Sequence, residues 1–178
     1  MKLYDGGGPN PKAVRMFIAE KGITDIEVVA MDLVGGENRQ PEHLRRNPSG
    51  QLPVLETDSG LFVSEVPSIC EYLEEICPGP ALIGASAEER AETRTWLRKL
   101  DLALCEPMSN GFRFGERLEF FSQRIPCYPE TAPALKKMAQ NGLALLNTQL
   151  EAKRYICGDR FSLADIFVFC LVSFFSKM

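Results

Sequence analysis

47-NPSGQLPVLETDSGLFVSEVPSICEYL-73 joins a turn, a proline-led strand, a short hairpin and a helix start in one run. Asn47-Pro48-Ser49-Gly50 is turn chemistry. Pro53 removes a backbone donor just ahead of Val54, Leu55 and Glu56, which read as a strand. Thr57-Asp58-Ser59-Gly60 reverses the chain, and Leu61-Phe62-Val63 pairs back. Pro67 stands where a helix tolerates it, in the first turn of a helix predicted from Val66 to Ile76.

Working outward, Lys2 to Tyr4 is a strand candidate, and 5-DGGGPNP-11 is a loop suited to a turn or a close backbone approach. From Pro11, Ala13, Val14, Phe17 and Ile18 fall at helical spacing, and Gly22 closes the helix. Ile26 to Met31 reads as a second strand, Gly35-Gly36 breaks it, and Pro41 to Arg46 reads as a short helix. The order βαβαββα predicts a thioredoxin-like α/β domain over residues 1–79, a four-stranded mixed sheet with helices on both faces. Residues 77-CPGPALIGAS-86 are rich in Pro and Gly, which places a linker at 80–86. Beyond it strand signals vanish. Ala87 to about Phe114, Glu130 to Ala152 and Ser162 to about Ser176 are helix-sized, so residues 87–178 read as all-α.

With 178 residues and 45% apolar content the chain can bury a core. Its 20 basic and 24 acidic residues, net −4, argue against nucleic acid or an anionic membrane as partner. MKLYDGGGPNPK lacks the pattern of a secretion signal, and the longest apolar run, Ile166 to Phe175, falls well short of the ~18 residues of a membrane span. Cys70, Cys77, Cys105, Cys127, Cys157 and Cys170 form no C-x-x-C pair, and His43 is the single histidine, so no metal site is expected. The thiols read as reduced and the compartment as cytoplasmic; Cys70 and Cys170 lie in apolar helical patterns as small buried hydrophobes.

The run 47–73 resembles the glutathione transferase family, whose pattern here is Asn-Pro-x-Gly-x-Val-Pro-x-Leu, a hairpin, then Glu-Ser opening a helix. Val66 departs from it by replacing the serine. A second resemblance lies at 158-GDRFSLADIFVF-169. Ser162 and Asp165, three residues apart, make a capping-box variant, and Phe161 ahead of them is placed to staple onto Ile166. This signature of the family's all-α domain implies fold, not chemistry. Family members continue for about two helices more, so the resemblance implies C-terminal helices missing after Met178, or a partner that covers 166–175.

What the resemblance implies about the site follows residue by residue. A cis peptide before Pro53 would leave the backbone of Leu52 free to pair with glutathione; alone, Leu-Pro reads as an ordinary trans bond opening an edge strand. Glu65 would accept the γ-glutamyl amine, with the helix N-terminus behind it holding the carboxylate; alone, it is an acid suited to a helix start. Val66 occupies the serine's place in that subsite and lacks its hydroxyl. Gln51 would reach the glycyl or γ-glutamyl portion, or be solvated. The loop 5-DGGGPNP-11 holds no Tyr, Ser or Cys to activate the thiol. Asn10 falls where nu-class transferases carry an asparagine that donates to the sulfur, and it equally suits a helix N-cap. Tyr4 is the alternative activator, though it sits inside a strand. Phe112 and Arg113, with Tyr128, are candidate walls of an electrophile pocket, and Asp101 a candidate contact to a partner subunit's glutathione.

The expected function is glutathione transfer to a small hydrophobic electrophile in detoxification, by a homodimer, with glutathione as co-substrate and Asn10 as the catalytic residue. The alternatives are glutathione-dependent disulfide or peroxide reduction, and a non-catalytic binding or regulatory protein of the same fold.

Overall fold

The strands Lys2–Asp5 (β1), Glu27–Ala30 (β2), Val54–Glu56 (β3) and Phe62–Ser64 (β4) form one sheet in the order β2-β1-β3-β4. β1 runs parallel to β2 and antiparallel to β3, and β3 is antiparallel to β4. The computed structural model describes residues 1–176, in two units: residues 1–86 with those from Phe169 on, and residues 87–168.

In the first unit Pro9–Lys21 (α1) and Val66–Ile76 (α3) pack together. Ala13, Val14 and Phe17 of α1, Ile69, Cys70 and Leu73 of α3, and Leu3, Val54 and Leu55 of the sheet are all fully buried. The α1 helix starts two residues earlier than its pattern predicts, because Pro9 and Pro11 fall in the first turn, where the missing N–H groups have no intrahelical partner to lose. It ends in a Schellman arrangement: Gly22 at φ 70° donates to Ala19 O, and Ile23 N to Ile18 O. Pro41–Arg46 (α2) and α3 have their predicted bounds, while β4 lies one residue later than expected, since Leu61 is held in the turn by Thr57.

Residues 80–83 are tied to the first unit. The buried Lys21 Nζ reaches Glu74 Oε2 at 2.8 Å and Pro80 O at 3.0 Å, and Glu74 Oε1 accepts from Ile83 N–H. The α1 helix, α3 and the segment after α3 thus share one buried ion pair.

The second unit contains Ala87–Leu100 (α4), Glu106–Phe114 (α5), the short Leu118–Phe121 (α6), Ala132–Leu150 (α7) and the first residues of Leu163–Phe175 (α8). The single helix expected from 87 to 114 is widened to π geometry at Asp101–Cys105. Pro107 is the cause: it has no N–H to give Ala103 O, four residues back. Gly142 of α7 packs against that same carbonyl, so closely that a Cβ there would lie 2.3 Å from it. At the start of α8, Asp165 accepts from Ser162 N–H at 2.9 Å and from Ile156 N–H at 2.8 Å, while the Ser162 hydroxyl donates to Asp165 Oδ2 at 3.0 Å. The capping box forms with its carboxylate half carrying the load, and the Phe161 ring packs edge-on against Tyr155.

Candidate active site

The sheet register gathers three chain segments at one end of the first unit. Tyr4 pairs with Val54 and Val54 with Ser64, so the loop after β1, the Leu52-Pro53 dipeptide before β3 and Glu65 after β4 all leave the sheet at the same end. Gly6 lies against Leu52: a Cβ on it would come 3.0 Å from the leucine Cδ1. The Leu52–Pro53 peptide is cis. Among the described residues no hydrogen bond engages the N–H or C=O of Leu52. A ligand with its own extended backbone can pair there.

Glu65 is exposed and has φ 70°, the one positive φ among the described residues that is not a glycine's. Such a conformation persists only where the surroundings over-determine it, and it clusters at ligand-binding positions. Glu65 is the N-cap of α3, which has no acid in its first turn, so the helix's unpaired N–H groups and positive end are open to an anion. Val66 is only 3% exposed, so its side chain belongs to the core. Ser68 is exposed one turn into the helix, and Ser64 is half-buried in β4.

Asn10 is not the helix cap that its position before Pro11 suggests. Gly8, at φ 125°, is the N-cap, and Asn10 stands in the first turn of α1. Its half-buried amide has no partner among the described residues and is free to donate. Tyr4 is core: its hydroxyl donates to Glu56 at 2.7 Å beneath the Arg46 guanidinium, and burial, with the Glu56 hydrogen bond, raises its pKa above the ordinary phenol value.

The turn ahead of Leu52 is held by side chains to which sequence reading gave no role in the site. Asn38 Nδ2 donates to Gly50 O at 2.6 Å, Arg39 to Ser49 O at 3.0 Å, and both His43 Nε2 and Asn47 Nδ2 lie 3.1 Å from Gln51 O. Gln51 is therefore anchored by its backbone, and its side chain is half-buried. Asn47 alone carried a signal, as the first residue of the turn.

Phe112 and Arg113 lie on α5 in the second unit. Arg113 Nη1 donates to Asn110 at 3.0 Å, its guanidinium stands 5.8 Å over the Phe121 ring, and Tyr128 meets Phe114 edge to face. Asp101, in the π segment, has its carboxyl raised above the ordinary range by burial and by Glu106, against an opposing Arg98 contact at 3.1 Å. Burial likewise pushes the Cys70, Cys105 and Cys170 thiols up, which keeps them protonated. Among the described residues no group of three His, Cys, Asp or Glu side chains is arranged to hold a metal, and no helix is long and apolar enough to cross a membrane.

Residues 1–75 match the family model "Glutathione S-transferase, N-terminal domain" and residues 129–178 its C-terminal domain counterpart. The chain is 32% identical to Glutathione S-transferase 2 of Saccharomyces cerevisiae, over 94% of this chain and 73% of that one. It is 31% identical to the probable elongation factor 1-gamma 1 of Arabidopsis thaliana, over 96% of this chain but 39% of that longer protein. The crystal structure of a glutathione S-transferase domain-containing protein from Marinobacter aquaeolei superposes with a TM-score of 0.89 at 35% identity, covering 99% of this chain and 87% of the other. Sheet order, the proline turn, the helical second unit and these likenesses agree: the chain belongs to the glutathione S-transferase family.

Proposed function

We propose that this chain binds reduced glutathione at the end of its sheet and transfers the thiolate to a small electrophile. The observation that carries the reading is the pairing of an unengaged Leu52 backbone with Glu65, held at φ 70° over the open N-terminus of α3. Leu52 N–H and C=O would pair with the cysteinyl backbone. Glu65 would take the γ-glutamyl amine, and the α3 N-terminus, including the Val66 N–H, its carboxylate. The free amide of Asn10 and the positive end of α1 would favour the thiolate over the thiol, whose ordinary pKa of about 8.5 leaves only a few per cent ionised at neutral pH. The thiolate sulfur then bonds to the electrophilic carbon as the leaving group departs with the bonding pair, so positioning and charge stabilisation supply the rate. A cytoplasmic homodimer fits this reading.

A calorimetric titration with reduced glutathione tests the site: a micromolar to low millimolar Kd is expected, and a folded protein that shows no heat of binding would overturn it. Conjugation of a chloronitroaromatic, set against reduction of hydroxyethyl disulfide, then separates transferase from reductase.

A non-catalytic binding protein is the second reading. Val66 favours it, because a buried valine lacks a hydroxyl donor worth about 1 kcal/mol, roughly fivefold in affinity. The likeness to elongation factor 1-gamma proteins points the same way. Glutathione binding with both reactions at the buffer background would move the conclusion there.

A further inference from the structure

We propose that His43 is a positioning residue that aims the Leu52 N–H at the bound glutathione backbone; the proposal rests on the reading of the site just given. His43 lies on α2, is 1% exposed, and places Nε2 3.1 Å from the Gln51 carbonyl oxygen. A carbonyl oxygen only accepts, so Nε2 carries the proton and donates; in the neutral ring Nδ1 is then the acceptor nitrogen. That Nδ1 is buried and has no partner among the described residues.

The Gln51 C=O and the Leu52 N–H belong to one planar peptide and point in opposite directions. Whatever fixes the carbonyl fixes the direction of the N–H. Two donors converge on this oxygen from different positions, His43 Nε2 from α2 and Asn47 Nδ2 from the turn itself. Asn47 is in turn held by the Ser49 N–H and hydroxyl on its Oδ1, at 3.1 and 2.9 Å. His43 is therefore the brace that reaches the peptide from outside the turn. Its other nitrogen gives nothing back, since a buried acceptor without a partner is unfavourable. A phenylalanine ring would fill the same space without that penalty. Stability and positioning thus pull in opposite directions at this one side chain, which makes the role testable.

His43→Phe keeps a ring and removes the donor; His43→Gln keeps an N–H donor at similar reach. The Phe variant is expected to melt at or above the parent temperature, to raise the KM and Kd for glutathione about fivefold, and to leave kcat at saturating glutathione within about twofold. The Gln variant is expected to restore both constants to within about twofold of the parent. In the ligand-free protein the Gln51 carbonyl carbon and Leu52 amide nitrogen resonances should move in the Phe variant and return in the Gln variant. A folded Phe variant with parental affinity and unmoved resonances overturns the proposal. Should phenylalanine not be accommodated, His43→Leu makes the same test. If the parent itself binds no glutathione, the reading of the site fails, while the Gln51 and Leu52 resonances still decide whether His43 sets that peptide.

Discussion

Among the described residues the amide of Asn10 has no hydrogen-bond partner, and Asn10 stands inside the first turn of α1, with Gly8 as the cap. Truncating it therefore leaves the helix intact: Asn10→Ala is expected to change folding free energy by less than about 0.5 kcal/mol, whereas loss of a true N-cap would cost about 1. The proposed role for that amide lies at the glutathione sulfur, so kcat/KM for conjugation should fall about tenfold or more, measured beside the urea unfolding curve. A variant that loses stability and keeps its rate would return Asn10 to a capping role. Sequence left these two readings level because Asn before Pro suits both; a glycine at φ 125° two residues earlier separates them. Leu52, Pro53 and Glu65 were singled out by the resemblance and not by the residues alone, since Leu-Pro by itself suits a trans bond opening a strand and Glu65 a helix start. His43 was not, because only tertiary packing turns an isolated histidine into a buried donor.

At the scale of elements, the start of α8 depends on one carboxylate. Asp165 accepts the N–H groups of Ile156 and Ser162, both in buried residues, as well as the serine hydroxyl. Asp165→Ala leaves two buried donors unpaired at about 1–3 kcal/mol each, so a loss of about 2–6 kcal/mol is expected in chemical denaturation. Ser162→Ala removes only the hydroxyl, which also sits 3.5 Å from Cys157 Sγ, and should cost about 1 kcal/mol. A larger loss for the serine than for the aspartate would refute this division. The four-residue signature was readable in the sequence, but the Ile156 N–H that doubles its weight comes from outside the motif. The π segment at Asp101–Cys105 shows the converse: its cause, Pro107, stands plainly in the sequence, yet helical periodicity runs across it undisturbed.

For the whole molecule, the order of strands and helices was legible because each strand is short and punctuated by Gly or Pro, and the helices α1 and α3 carry apolar residues at helical spacing. The docking of residues 80–83 was not, since Lys21 and Glu74 look like two surface charges on separate helices until the fold buries them as a pair. Charges that folding half-buries also give stability a pH dependence, and Asp101 supplies one with a definite sign. Burial and Glu106 raise its folded pKa above the ordinary aspartate value of about 3.9, and Arg98 offsets this only in part. The folded state therefore holds the proton more tightly than the unfolded chain. Its contribution to stability is full below the ordinary aspartate value and is lost as pH rises through the raised folded value. Asp101→Asn removes that loss and keeps a side chain of the same shape beside Arg98. Thermal melts should show the Asn variant gaining on the parent as pH climbs from about 4 to about 7, with the gain level beyond the folded pKa. The half-exposed position keeps the gain small. A difference between the two proteins that stays constant across this range would mean that Asp101 titrates alike folded and unfolded, and that the water reaching the π segment screens it fully.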